Sequence, residues 1–232
     1  TKKNQNSSKV SLGYPSYGWE EVYEALESML EMKTTMGEKV KKFEKLFAEY
    51  IGVKYALMVN SGSSANLLAL SILSNPILEN KRIKENDEII TPAITWSTTV
   101  FPIININAKP VFVDEDPRTY NIDTKKIEKA ITKKTKAILP VHLLGNPCKM
   151  NEIRKIAKKY HKEIKCLEKM PISKDCSYHL YWILVKNRNT FLKNMKKKGI
   201  ETGIHYLPVH KMKLYKSNIK LKVTEKVTKE IV

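Results

Sequence analysis

The sequence predicts an α/β protein with a mostly parallel sheet. Two observations predict this class: short apolar segments of strand length alternate with segments whose apolar residues recur at helical spacing, and the alternation continues over much of the chain. The alternation of strands and helices stops after Tyr160, which indicates a boundary between two domains. We therefore expect a larger domain over residues 1–162, with N-terminal helices and part of a sheet, and a small C-terminal α+β domain over residues 163–232.

Two amphipathic helices open the predicted order of elements. Residues 19–30 and 38–50 carry apolar side chains at helical spacing, and Gly52 is a residue type that commonly ends a helix. Residues 55–59 form an apolar run of strand length. Residues 65–73 are apolar on nearly every side, which predicts a buried helix.

Strands and helices then alternate. The predicted order is a strand at 88–90, a helix from Ser97, a strand at 110–113, a helix at 125–131, a strand at 137–141, a helix at 150–160, a strand at 178–185 and a helix at 189–198. Ligands of a doubly wound sheet bind at the C-terminal ends of its strands. Residues that directly follow strands are therefore the candidates for a functional site.

The chain carries a formal net charge of +18, which raises the question of nucleic-acid binding. Only four of the 42 basic residues are arginine, the residue that phosphate and base recognition favours. The lysines are also spread along the chain. We interpret them as solvated faces, with an anionic substrate left open, and expect no nucleic-acid partner.

The lengths of the apolar runs and the spacing of the cysteines indicate the cellular compartment in which we expect the protein. No apolar run approaches the length of a membrane span, and the first ten residues lack the apolar core of a signal peptide. Cys148, Cys166 and Cys176 show neither disulfide nor zinc-ligand spacing. We expect a cytoplasmic protein with reduced thiols, no metal and no membrane partner.

Two segments that follow predicted strands carry candidate chemistry. At residues 60–66, small residues and serines precede a helix, as suits an anion bound at a helix N-terminus, although a serine there also serves as an ordinary helix cap. Trp96 follows the next strand. It has the shape to stack on a flat ring, although a tryptophan is also a common core residue.

Seven segments resemble, in order, those of the DegT/DnrJ/StrS family of sugar aminotransferases, which depend on pyridoxal 5'-phosphate (PLP). They are residues 37–44 (GxxVxxFE in the family), 61–70 (SGTAALHLAL), 87–92 (DEVITP), 108–114 (AKPVFVD), 120–123 (YNID), 136–142 (KAIIPVH) and 199–206 (GIETGIHY). Ordered agreement over so many segments is far more specific than any one of them. The resemblance implies the type I fold of PLP-dependent transferases, with an incomplete large-domain sheet.

The resemblance also implies a cofactor site and a substrate entrance. The phosphate of PLP would lie at Gly62, Ser63 and the backbone of Ser64, and its ring would lie against Trp96. The entrance would be lined by His205, Tyr206 and His210, for which a structural role is an equal alternative.

The activity implied is transfer of an amino group from an amino-acid donor, such as glutamate, to a nucleotide-linked keto sugar, by a homodimer. Two alternatives remain open. One is a sugar dehydratase relative, in which the family replaces the Schiff-base lysine. The other is a catalytically dead homologue that serves as a binding or assembly subunit.

A segment of the family is missing near Lys162 and Glu163. In the family it carries the aspartate that holds the pyridine nitrogen and the lysine that forms the Schiff base, so we assign no catalytic residue. Residues left out of the sequence, a deletion and a degenerate gene product are all compatible with this. Loss of sheet strands would expose apolar surface, which predicts aggregation or a covering partner.

Overall fold

The computed structural model describes residues 15–160, 165–166 and 184–232. The chain forms two compact units, Thr1–Asn60 with Met195–Glu201, and Ser61–Asn194 with Thr202–Val232. The join inferred near Lys162 and the domain boundary placed there lie outside the described residues, as does most of the strand predicted at 178–185.

The first unit contains the two predicted N-terminal helices, α1 (Trp19–Leu30) and α2 (Glu38–Ile51). The backbone N–H of Gly18 donates to the Glu21 carboxylate at 2.6 Å, which closes the start of α1. Gly52 ends α2 with a φ of +74°, the left-handed conformation that glycine adopts without steric cost. Both helix predictions are confirmed.

The strand predicted at residues 55–59 is wrong. The side chains of Tyr55, Leu57 and Met58 are exposed, and no described strand pairs with this segment. The N–H of Met58 donates instead to the Glu44 carboxylate at 2.8 Å. An apolar run forms a strand only where a neighbour supplies the other half of the ladder.

The second unit contains a parallel sheet of β1 (Glu88–Pro92), β2 (Lys109–Val113), β3 (Thr135–Ile138) and β4 (Lys165–Cys166), in the order β2-β1-β3-β4. The predicted parallel arrangement is confirmed. β3 ends earlier than predicted: Leu139 still donates to the carbonyl of Ile90 at 2.7 Å, but Pro140 has no N–H to continue the ladder.

Six further α-helices are described: α3 (Gly62–Ser74), α4 (Ser97–Asn105), α5 (Thr124–Ala130), α6 (Met150–Lys159), α7 (Arg188–Lys197) and α8 (Lys222–Glu230). All except α8 match predicted helices. The expectation that α3 is buried nearly all round is wrong, since Leu70 is its only fully buried residue in the described structure and Ile72 is exposed.

Helices cover both faces of the sheet. Neighbouring β1 residues point to opposite faces, so each meets a different pair of helices. Ile90 packs with Ile127 of α5 and Ile153 of α6. Ile89 packs on the other face, with Leu70 of α3 and Ile103 of α4. This is the layered α/β architecture that the sequence predicts.

The C-terminal helix α8 packs near the end of β1, where Val227 and Ile231 share a cluster with Ile94 and Leu143. Within the described ranges, no helix has the length and hydropathy to cross a membrane.

Candidate functional site

The N-terminal turn of α3 consists of small residues that are largely exposed. Ser61 caps the helix: its Oγ accepts the N–H of Ser64 at 3.2 Å, and its carbonyl accepts that of Ala65 at 3.0 Å. The N–H groups of Gly62 and Ser63 precede the first residues that have an intrahelical acceptor. Both residues are exposed, and the helix itself offers these two donors no acceptor.

α3 and α4 present their N-termini on the same side of the sheet. Leu70 and Leu73, in the C-terminal half of α3, pack in one cluster with Ile103 and Ile106, at the C-terminal end of α4. The two helices therefore run in the same sense, and the cap of α3 lies toward the edge at which β1 ends and α4 begins.

Trp96 is the residue immediately before α4, and its side chain is 58% exposed. Its ring meets that of Tyr206 edge-to-face, with the ring centroids 5.4 Å apart and the planes at 70°. Trp96 is therefore not a core tryptophan, the alternative that the sequence left open. The edge contact from Tyr206 leaves it as a partly exposed flat surface.

The three residues predicted at the substrate entrance lie in different environments. Tyr206 contacts Trp96, and the half-buried ring of His205 meets that of Tyr206 at 5.2 Å. Burial raises the pKa of the Tyr206 phenol, which keeps it protonated at neutral pH.

His210, by contrast, lies in the interior with 1% of its surface exposed. Its ring packs near that of Phe112, and its Nε2 is 3.7 Å from the Glu225 carboxylate. Within the described structure neither ring nitrogen makes a hydrogen bond. Burial lowers the pKa of His210 although the nearby Glu225 acts to raise it, so the ring is neutral at neutral pH.

Two buried acids at the end of β2 were not recognised from the sequence. Asp114 accepts hydrogen bonds from the N–H groups of Val223 and Thr224 and from Lys126 Nζ, at 2.8 to 3.1 Å. Burial acts to raise the pKa of Asp114, but these hydrogen bonds outweigh it and lower the pKa. Asp114 is therefore ionised, and it caps the N-terminus of α8.

Glu115 is fully buried beside it. Its Oε1 accepts the N–H groups of Ala93 and Ile94, at 3.0 and 2.8 Å, and its other oxygen contacts the hydroxyl of Thr224. The available signal was the run of three acids at residues 114–116 directly after a strand of apolar residues. An acid in that position lies where ligands and helix ends meet.

This edge of the sheet combines an exposed helix N-terminus with a partly exposed aromatic side chain. In the described part of the chain, no cluster of three or more acidic, histidine or cysteine side chains is arranged to hold a metal ion. A helix N-terminus suits an anionic group, and a partly exposed indole suits a flat ring.

Comparison with known proteins gives the family. The model of the DegT/DnrJ/EryC1/StrS aminotransferase family matches residues 16–168 and 161–232. The chain belongs to this family. The two matched stretches overlap at residues 161–168, which is where the sequence places the join between the larger and smaller parts of this DegT/DnrJ/EryC1/StrS chain.

Two of the curated relatives have names that contain a nucleotide-linked sugar. The chain is 47% identical over 149 residues to GDP-4-keto-6-deoxy-D-mannose 3-dehydratase of Escherichia coli O55:H7, covering 62% of this chain and 38% of the relative. It is 40% identical over 128 residues to GDP-perosamine synthase of Caulobacter vibrioides, covering 55% and 32%. The matched part thus spans less than two fifths of each relative.

Solved structures confirm the predicted fold. The E. coli GDP-4-keto-6-deoxy-D-mannose-3-dehydratase with bound hydrated PLP aligns with a TM-score of 0.62 at 43% identity, covering 69% of this chain and 40% of that one. DesV of S. venezuelae aligns with a TM-score of 0.74 over 94% and 91% of the two chains. Its identity is 19%, so it shows the fold alone. PLP is thus the cofactor of the related dehydratase, as the sequence resemblance implies for the family.

Proposed function

We propose that this chain binds PLP at the C-terminal edge of its sheet and belongs to an enzyme that transfers an amino group from glutamate to a nucleotide-linked keto sugar. The observation that supports this best is the exposed N-terminus of α3, a helix whose C-terminal half packs with that of α4, which Trp96 directly precedes. One feature suits a phosphate and the other suits an aromatic ring. The family membership gives the chemistry that such a pair would serve.

The phosphate end of PLP fits the residues present. The N–H groups of Gly62 and Ser63 have no intrahelical acceptor, and the helix dipole favours an anion beside them. A Cβ built on Gly62 meets no atom within 4 Å, so the space above the helix end is open. The hydroxyl of Ser63 is exposed and supplies a third donor.

The ring end fits as well. A partly exposed indole offers a face for stacking, and the Tyr206 edge contact fixes its orientation. Stacking of this kind contributes about 1 kcal/mol beyond the burial of surface. Tyr206 and His205 then line one side of the same surface and become candidates for contact with the sugar.

When bound, PLP would withdraw electrons from the carbon that bears the amino group. The residues described here would hold the phosphate, orient the ring and exclude water from one face of it. The lysine and aspartate expected from the family resemblance have no counterpart in this sequence. Turnover therefore requires the segment that carries them, whereas cofactor binding at Ser63 and Trp96 is testable on this chain.

Dehydration is the second candidate reaction. It is favoured by the higher identity to the GDP-4-keto-6-deoxy-D-mannose 3-dehydratase, 47%, than to the GDP-perosamine synthase, 40%. The position that would separate the two reactions is that of the missing lysine. The cofactor contacts proposed here are the same for both.

A titration of the purified chain with PLP tests the binding proposal. Ser63→Ala should weaken binding about tenfold, since a hydrogen bond to a charged group contributes about 1.5 kcal/mol. Trp96→Leu should weaken it about fivefold, since stacking contributes about 1 kcal/mol. Ser71→Ala is the matched control, because Ser71 lies exposed on the same helix α3 away from its N-terminus. Equal affinity in all four proteins would overturn the proposal.

The reaction itself is tested by incubating the chain with PLP, glutamate and a nucleotide-linked 4-keto-6-deoxy sugar. Mass spectrometry distinguishes an amino sugar from a 3-deoxy sugar. An amino sugar supports the aminotransferase and a 3-deoxy sugar supports the dehydratase. PLP binding without either product would agree with the absence of the lysine and aspartate from this sequence and would limit the role of this chain to cofactor binding.

We also propose that the chain forms a homodimer. The first unit exposes large apolar side chains on both of its helices: Trp19, Leu26, Met29, Leu30, Phe43, Phe47 and Tyr50. Exposed apolar surface of this extent is typical of an interface. Sedimentation should show a dimer that Phe47→Asp dissociates and that Ile77→Asp, which adds the same charge at an exposed residue outside this unit, leaves intact. A monomeric parent chain would refute the dimer.

A further inference from the structure

Glu115 is placed between the proposed cofactor surface and the C-terminal helix. Its Oε1 accepts the N–H groups of Ala93 and Ile94, in the short connection that leads from β1 to Trp96 and α4. The carbonyl of Ala93 in turn accepts the N–H of Val209 at 3.1 Å. The connection is therefore fixed from two sides, a few residues before Trp96.

The other carboxyl oxygen of Glu115 makes contact with α8. It touches the hydroxyl of Thr224, and the same hydroxyl lies 2.8 Å from Oδ1 of Asp114. A hydroxyl has one proton to donate. If both acids are ionised, one of the two contacts brings two acceptors together with no proton between them.

A proton on Glu115 satisfies every group in the cluster. The acid then donates to Thr224 Oγ1, the Thr224 hydroxyl donates to Asp114, and the remaining oxygen of Glu115 still accepts both backbone N–H groups. The proton belongs on Glu115 rather than Asp114, because Asp114 already accepts from Lys126 and from the N-terminal N–H groups of α8.

The electrostatic surroundings agree with this assignment. Burial raises the pKa of Glu115 to about 7 against the hydrogen bond from Thr224, which lowers it, and the charge of Asp114 adds to the rise. The charged groups packed around the cluster are Lys126 of α5 and, near α8, the Glu225–Lys211 ion pair. His210, beside Glu225, is kept neutral by burial.

We propose that Glu115 is a positioning residue for Trp96, which as a neutral acid links the β1–α4 connection through Thr224 of α8 to Asp114, and that ionisation of Glu115 breaks this chain of hydrogen bonds at one of its two Thr224 contacts. The ionised acid is repelled by the charge of Asp114, and the single proton of the Thr224 hydroxyl can lie between only one of the two acids and Thr224. The setting of Trp96 then changes with the protonation of Glu115. The consequence for PLP affinity rests on the proposed function, whereas the positioning of Trp96 does not.

The test uses full-length protein in which Trp96 is the sole tryptophan, with Trp19→Phe and Trp182→Phe. The expected result is a step in the Trp96 emission and its quenching by acrylamide near pH 7. Glu115→Gln reproduces the neutral acid and should remove the step, with the emission held in its low-pH form. Glu115→Leu can neither accept from Ala93 and Ile94 nor reach Thr224 with a hydrogen bond, so the chain is broken at every pH and the step should again be absent.

PLP affinity provides the second readout. Since PLP itself titrates, the quantity to compare is the ratio of dissociation constants of the Glu115→Gln protein and its parent. This ratio should be near one at pH 6 and should favour Glu115→Gln at pH 8.

Each outcome decides the positioning role. A step that persists in Glu115→Gln, or a parent without a step, overturns it, and Glu115→Gln alone is sufficient if Glu115→Leu does not fold. A Trp96 step that depends on Glu115 without PLP binding supports the positioning role and removes the proposed function. PLP binding without any effect of Glu115→Gln supports the proposed function and removes the positioning role.

Discussion

Asp114 accepts hydrogen bonds from both the backbone N–H and the hydroxyl of Thr224, at 2.8 Å each, across 110 residues of sequence. The residue before α8, Leu221, has no side-chain acceptor for the first turn of this helix. Asp114 supplies the cap from the end of β2 instead. The C-terminal helix is thus attached to the sheet by a buried carboxylate as well as by its apolar face.

Asp114→Ala should lower the free energy of unfolding by roughly 2 to 4 kcal/mol, since it removes a helix cap and one partner of a partly buried ion pair. Urea unfolding measures the change. The control is Glu128→Gln, which removes an exposed ion pair with Lys159 and should cost less than about 0.5 kcal/mol. Equal effects of the two substitutions would show that the cap contributes nothing.

The elements that the sequence predicted well are those specified by local pattern. The apolar periodicity of α1 and α2 and the glycine that ends α2 lie within each segment. The strand predicted at residues 55–59 failed because pairing depends on a distant partner. The prediction that α3 is buried failed for the same reason, since the burial of a helix depends on the elements that pack against it and not on its own sequence alone.

The residues of the candidate site likewise fall into those that local sequence predicts and those that depend on distant partners. Gly62, Ser63 and Trp96 follow predicted strands or open helices, so local sequence and family resemblance found them. The contact of Glu115 with Thr224 joins residues 109 positions apart. Nothing in either segment alone predicts that the two side chains meet.

Stability should depend on pH through Glu115. Its pKa is about 7 in the folded protein against an ordinary value of 4.5, so the folded chain keeps a proton that the unfolded chain releases. Stability therefore falls as pH rises from 4.5 to 7. The total loss is about 3 kcal/mol.

Urea unfolding of the parent and of Glu115→Gln between about pH 5 and pH 8 measures this loss. His210 contributes with the opposite sign, because its lowered pKa makes stability rise with pH below 6.5. The difference between the two proteins cancels that contribution. It should grow up to pH 7 and then level off, and a difference that stays constant would mean that Glu115 does not titrate in the folded chain.

Cys148 should be unreactive in the folded chain. Burial raises the pKa of its thiol to about 12, and the thiol donates to the carbonyl of Val141 at 3.0 Å. Since the thiolate is the reactive form, iodoacetamide should modify Cys148 much more slowly in native protein than in urea. Peptide mass mapping measures both rates, and equal rates would show that the region around Cys148 opens readily.

Gly62→Ala should have opposite effects on folding and on cofactor binding. The position lies in the first turn of α3, and an added methyl meets no protein atom within 4 Å. Alanine is the better helix former, so stability should rise by about 0.5 kcal/mol. The same methyl would stand where a phosphate approaches the N–H groups of Gly62 and Ser63, so PLP affinity should fall.

Gly37→Ala is the matched control, because Gly37 stands at the N-terminus of α2, where no cofactor contact is proposed. It should leave PLP affinity unchanged whatever its effect on folding. If Gly62→Ala binds PLP as tightly as the parent, the phosphate does not approach the end of α3. Lower affinity with higher stability, in contrast, excludes damage to the fold as the cause and assigns the loss to the space above Gly62.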